Sequence, residues 1–254
     1  MTELSGEERL LLAYEDYDRR MHRALAGMPV RRPWLEEDRS AIKDCAERLL
    51  GIKPGWIPKI RAQALRERKR DGYSVWDLAF TSWPGVAGTA HWYVPEGESG
   101  PRPLALLFCG HGAGCKHAPG YQAMARRLAR QGMVVLVPDN MGQGERAPMG
   151  HHDVMAPFDC GLTFQGMLAM EGMALLDWAV QQPGIDPARV GLLGNSGGGA
   201  LSLLVGALSP LATVVAPSGY PNSFEGFLRK DKVHCACNVL PGMLGRLEMW
   251  HILS

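Results

Sequence analysis

The hexapeptide Gly194-Asn195-Ser196-Gly197-Gly198-Gly199 carries the clearest chemical signal in this chain. It follows the apolar run 190–193 and precedes a stretch, 198–208, with helical spacing. G-x-S-x-G in that setting puts a serine on a sharp strand-to-helix bend. The bend holds the serine in strained dihedrals. Its neighbours two residues away must be tiny, because strand and helix approach closely there. The hydroxyl then stands clear of the backbone at a helix N-terminus, where free N–H groups favour developing negative charge. That is how a nucleophile for acyl transfer is presented. A Walker-type phosphate loop, the competing reading of a Gly-rich turn, needs Gly-Lys-Ser/Thr, which is absent here.

A second Gly-rich segment, Gly110-His111-Gly112-Ala113-Gly114, follows the apolar run 104–109. A loop in this position supplies one backbone N–H to an oxyanion, and the residue after the nucleophile supplies the other. The expected donors are therefore Ala113 and Gly197, with Gly112 the alternative to Ala113. His111 invites a general-base reading. In this order of elements the base comes late in the chain, so His111 is read as shaping the loop. His111, Gly112 and Asn195 are expected to contact substrate.

These segments need a scaffold. Apolar runs at 104–109, 133–137, 190–193 and 212–216 alternate with helical spacing at 121–130, 163–182 and 198–208. Strands apolar on both faces, separated by helices, predict a mostly parallel sheet covered on both sides, an α/β three-layer αβα sandwich. Upstream, alternation at 76–80 and 88–94 around Pro84-Gly85 predicts a hairpin. Residues 4–50 read as helical, with a stop at Gly51. The expected division is an N-terminal helical extension, 1–70, and a sheet-bearing domain, 71–254. The basic run 66–70, interrupted by Glu67, is read as a solvated turn or strand edge.

Composition narrows the class. With 46 % apolar residues among 254, a large core can be buried. The 27 Lys+Arg nearly balance the 26 Asp+Glu, which argues against binding nucleic acid through bulk positive field. The six cysteines are scattered and suit buried thiols better than a disulfide frame. Residues 1–9 lack an apolar signal core, and no apolar run could span a bilayer, so a cytoplasmic location without membrane contact is expected.

The Gly-His-Gly loop, Pro138-Asp139 with Gly142-Gln143-Gly144-Glu145-Arg146, Asp186-Pro187-Ala188-Arg189-Val190 and the Gly-Asn-Ser-Gly-Gly-Gly bend together resemble the α/β-hydrolase superfamily. Within it they resemble the acetyl xylan esterase-like and dienelactone hydrolase-like branch. The resemblance covers about residues 72 to 250. It implies a serine hydrolase that acts on a small carboxylic ester, an acetyl ester by expectation, through an acyl-enzyme on Ser196. No organic cofactor or metal is implied. It also makes Asp139 and Asp186 structural, because both precede the serine: a loop anchor and a turn- or helix-capping group.

The resemblance implies the order Ser, then Asp or Glu, then His. After residue 216 the sequence has a connecting stretch, 220–233, and then His234-Cys235-Ala236-Cys237-Asn238. The expectation is a hydrolase domain whose last strands are missing. Asp231, His234 and His251 satisfy the order formally but are poorly spaced for it. Two alternatives remain: a catalytically dead hydrolase-like protein lacking acid and base, and a peptidase of the same superfamily. An incomplete sheet would expose an edge through which the chain could form a homo-oligomer. His234, Cys235 and Cys237 are too closely spaced, with no second ligand pair, to predict zinc. His151-His152-Asp153 is read as a solvated loop, with a cleft-facing position as the alternative.

Overall fold

A computed structural model describes residues 38–97, 100–151, 155–224, 235–243 and 246–253. The helices expected before residue 38 lie outside these, as do Asp231, His234, His152 and Asp153. Seven strands form one sheet in the order β1-β2-β3-β5-β4-β6-β7. They are β1 (Arg61–Arg70), β2 (Tyr73–Thr81), β3 (Ala87–Pro95), β4 (Arg102–Phe108), β5 (Val134–Pro138), β6 (Ile185–Asn195) and β7 (Val214–Ser218). The first three and β5 pair antiparallel in turn, whereas β5, β4, β6 and β7 run parallel.

The central parallel strands are buried on both faces along their apolar runs, 104–108 of β4, 134–138 of β5 and 190–193 of β6, whereas β7 is a largely exposed edge. Leu104, Leu106 and Phe108 of β4 enter one core, and Ala105, Leu107 and Cys109 enter the other. Burying each large side chain is worth about 1.5–3 kcal/mol. Helix α1 (Arg39–Leu50), α4 (Phe164–Val180) and α5 (Gly197–Leu208) cover the first face, and α2 (Pro119–Arg130) covers the second through Ala125 and Ala129. The short α3 (Met155–Asp159) precedes α4, and α6 (Met249–Leu253) packs near α5. This is the three-layer α/β sandwich. Thr163 caps α4 by accepting the Gly166 N–H at 2.8 Å, and its hydroxyl donates to the Leu50 carbonyl at 2.9 Å, which ties α1 to the sheet-covering layer.

The basic run 66–70 belongs to β1, an edge strand paired only with β2. Charges and a register shift between Ala64 and Arg66 suit an edge, which they protect from pairing with another chain. The sheet therefore starts before the boundary expected at residue 70. A continuous amphipathic pattern was not there to mark it, because both faces of this strand are largely solvated. No helix among the described residues is long and apolar enough to cross a membrane.

His91, on β3, is 3 % exposed. Burial, reinforced by the charges of Lys116, His117 and Arg68, holds its pKa at about 4, against the pull of Asp77. An unfolded chain binds a proton at this histidine near pH 6.5, whereas the folded chain does not. Stability is therefore expected to fall as the pH drops from about 6.5 to 4, by at most about 3 kcal/mol. His91→Gln should flatten the pH dependence of the urea midpoint across that window. An unaltered slope would show that His91 titrates normally.

Candidate active site

Strand β6 delivers Ser196 and α5 begins at Gly197, so the serine sits in the bend between them. Its backbone adopts φ 55°, ψ −121°. Cys115 and Ser196 are the non-glycine residues with positive φ among the described residues, and both border the Gly-rich loop or the bend. Such conformations cost about 1–3 kcal/mol each and persist only where the surroundings enforce them. Part of the enforcement is the Ser196 N–H, which donates to the Ser218 carbonyl of β7 at 2.8 Å. The rest is close approach. A Cβ on Gly194 would lie 2.0 Å from the Gly198 carbonyl oxygen, and one on Gly198 would lie 2.2 Å from that of Phe108. Only glycine fits at either position.

Ser196 is exposed, as a nucleophile must be. It opens into a cavity of about 90 Å³ whose walls include His111, Gly197, Tyr220, Cys235 and Asn238. That is room for about three waters at ~30 Å³ each, or for a small acyl group. Gly197 is the first residue of α5, so its N–H has no acceptor within the helix. Ala113 is the second residue of the turn closed by the Cys115 N–H and the Gly112 carbonyl at 3.3 Å, and it is exposed. Gly112 is exposed in the same turn.

His111 lies over the bend. Its Nδ1 would meet a Cβ on Gly197 at 2.7 Å, and its Nε2 faces the Cys237 Sγ at 3.0 Å. Gly197→Ala should therefore push the imidazole aside and disturb the loop that carries Ala113. We expect roughly a tenfold loss of kcat/KM on p-nitrophenyl acetate with little change in melting temperature, scaled to the cost of misplacing one oxyanion donor. Unchanged kinetics would mean that His111 and its loop do not set the oxyanion geometry.

Asn195 is exposed, and its side chain hydrogen-bonds Tyr121. The Tyr121 hydroxyl also accepts the Gly110 N–H at 2.5 Å, and burial raises its pKa. Tyr121 thus fastens the start of the Gly-rich loop to the bend. Sequence reasoning took it for an ordinary helix residue; a tyrosine in the first turn of α2 was the available signal, and it has no distinctive spacing.

The loop after β5 is anchored from below. Asp139 is fully buried and accepts from the Lys116 ammonium, the Lys116 N–H at 3.1 Å, the Thr89 hydroxyl at 2.8 Å and the Glu145 N–H at 3.2 Å. Arg146 makes a two-pronged ion pair with Glu171, at 2.7 and 3.0 Å, and donates to the Asp139 carbonyl. Asp186 accepts the Ala188 N–H and pairs with Arg189 in the first half of β6. His151 turns inward and is buried, with its ring 4.9 Å from that of His111. His251 is also buried; its Nδ1 accepts the Glu248 N–H, and it does not line the Ser196 cavity.

A family model, acetyl xylan esterase, matches residues 63–229, more than half of the chain. The chain belongs to the acetyl xylan esterase family and so to the carboxylic ester hydrolases. A comparison with curated proteins finds no match. Among solved structures, a protein from Bacteroides fragilis NCTC 9343 assigned as an acetyl xylan esterase aligns with TM-score 0.78 at 15% identity, over 99% of this chain and 74% of that one. Acetyl xylan esterase 1 from Thermoanaerobacterium sp. JW/SL YS485 aligns with TM-score 0.53 at 22% identity, over 77% and 62%. A glucuronoyl esterase from Solibacter usitatus aligns with TM-score 0.57 at 15% identity, over 79% and 67%. These likenesses establish the α/β-hydrolase fold. The chain spans 74% of the first of these relatives and 62% of the second.

Proposed function

We propose that this chain hydrolyses a small carboxylic ester, an acetyl ester by preference, through an acyl-enzyme on Ser196. The observation that carries the reading is Ser196 itself: exposed, at φ 55°, at the N-terminus of a buried helix, and opening into a small cavity. Attack by Oγ on the ester carbonyl forms a tetrahedral intermediate and gives up the hydroxyl proton to a base. The N–H groups of Gly197 and Ala113 hold the oxyanion, the alcohol leaves, and water releases the acid in a second, equivalent step. The cavity volume favours a short acyl group over a long one. The family, acetyl xylan esterase, supports the acetyl ester of a sugar as the substrate class.

A second reading, an ester-binding protein with little turnover, is favoured by one feature. Among the described residues lining the cavity there is no carboxylate, so they include no imidazole–carboxylate pair of the kind that activates a serine. A fluorophosphonate probe separates the proposed chemistry from a merely exposed serine. Stoichiometric labelling mapped to the Ser196 peptide supports the nucleophile. Labelling no faster than that of a denatured control removes the acyl-enzyme reading.

A further inference from the structure

The fold brings four side chains together that lie far apart in sequence. His111 is in the Gly-rich loop, His151 in the loop after β5, and Cys235 and Cys237 in the segment 235–243. One potential ligand atom from each lies within 4.8 Å of all the others. We propose that these four residues bind one zinc-class divalent ion, which clasps the two loops to segment 235–243.

The donor set is the first argument. Two imidazoles and two thiolates are the tetrahedral complement that selects zinc over hard cations such as magnesium or calcium. Two thiolates also cancel the charge of a divalent ion, so the loaded site is neutral and suits its half-buried position. Binding displaces two thiol protons to solvent and makes two metal–sulfur and two metal–nitrogen bonds, with no change of oxidation state.

Geometry is the second argument. Zinc–nitrogen bonds of about 2.0–2.1 Å and zinc–sulfur bonds of about 2.3 Å place tetrahedral ligand atoms about 3.4–3.8 Å apart. The cluster needs to contract by about 1 Å at its widest. His111 Nε2 already faces Cys237 Sγ at 3.0 Å, and the two imidazole rings meet at 73°. His151 is oriented as a metal-bound histidine commonly is: its Nδ1 lies 3.1 Å from the Met141 carbonyl. A proton shared in that contact leaves the lone pair on Nε2, whose nearest amide, that of Gln143, stands at a long 3.3 Å. His151 and Cys237 are buried, Cys235 is half-buried and His111 is exposed, which gives an ion a route in from solvent.

Four protein ligands leave no open coordination position, so the role is structural. The clasp would still act on the site, because His111 and Cys235 also form walls of the Ser196 cavity. The sequence reading missed it because Cys235 and Cys237 had no visible partner pair; the partners come from loops 84 or more positions upstream.

The inference does not rest on the esterase reading, and its test does not use activity. The reduced, metal-free chain is titrated with zinc and, separately, with cobalt(II). One ion per chain is expected, with thiolate-to-cobalt charge-transfer absorption and the intense visible bands of a tetrahedral ion. Zinc should raise the melting temperature. Cys237→Ser and His151→Ala should each weaken binding by at least about a hundredfold. Cys160→Ser, which removes an exposed thiol outside the cluster, should leave it unchanged. Should the buried variants fail to fold by circular dichroism, Cys235→Ser at the half-buried position decides the matter. Sub-stoichiometric binding, a cobalt spectrum without thiolate bands, or equal affinity in the cluster variants and Cys160→Ser would overturn the proposal.

Discussion

Replacing Ser196 with alanine is expected to lower kcat/KM for p-nitrophenyl acetate by about a hundredfold or more, equivalent to ~2.7 kcal/mol or more of transition-state stabilisation. The substitution deletes the oxygen proposed to form the acyl-enzyme. It leaves the backbone N–H groups of Gly197 and Ala113 in place. A residual rate above water is therefore expected from those amides and from binding. The bend should survive, because its shape rests on the Ser196 N–H to Ser218 hydrogen bond and on Gly194 and Gly198, none of which involves the hydroxyl. The far-ultraviolet circular dichroism and melting temperature of the variant should match those of the parent. A variant within twofold of the parent rate would mean that another group, such as the His111 imidazole or a cysteine thiolate, attacks this activated ester. The cavity next to Ser196 would then be a binding feature only.

The largest effect on stability is expected at Asp139. Its carboxylate, fully buried, accepts four hydrogen bonds, one of them from the Lys116 ammonium, which is itself 2 % exposed. Asp139→Asn keeps the shape but removes the charge opposite Lys116 and one of the acceptor oxygens. Breaking a buried pair from one side typically costs on the order of 3–5 kcal/mol. Glu145, 3.2 Å from the same ammonium, remains as a partial partner and argues for the lower end. At about 2–4 °C per kcal/mol for a chain of this size, the melting temperature should drop by ~6–12 °C.

The pH dependence has a definite sign. Burial alone would raise the Asp139 pKa, but the hydrogen bonds and charge of Lys116, with the Thr89 hydroxyl, hold it below 3.8. The folded chain therefore keeps this carboxylate ionised to lower pH than the unfolded chain does. Its contribution is complete above about pH 4 and disappears as the pH falls through the depressed value. The parent should lose stability more steeply than Asp139→Asn below pH 4 in chemical denaturation. Parallel acid limbs would show that the carboxylate is not ionised in the folded core.

Much of this molecule was legible in its residues. The parallel strands were readable because β4, β5 and β6 each carry an apolar run, 104–108, 134–138 and 190–193, and burial on both faces demands that. The bend at Ser196 was readable because glycine is required wherever strand and helix backbones nearly touch; the 2.0 Å and 2.2 Å approaches at Gly194 and Gly198 are that requirement in space. The anchoring role of Asp139 came from the family resemblance, in which an Asp ahead of the serine is structural. By contrast, β1 was hard to read because a solvated edge strand needs no apolar face. The hydrogen bond between Asn195 and Tyr121 had no mark in the sequence, because adjacent residues at a sharp bend point in different directions and the partner lies in another element.

The sequence by itself determined the class of fold and the sharp, glycine-bounded bend that carries Ser196, because both are written in local pattern: period, glycine spacing, and order along the chain. Only the tertiary structure decided that His111, His151, Cys235 and Cys237 share one small volume, and that Tyr121 joins two loops. Neither fact has a local signature. Each depends on where separate strand ends in one sheet deliver their loops, a distance in space that spacing along the chain does not encode.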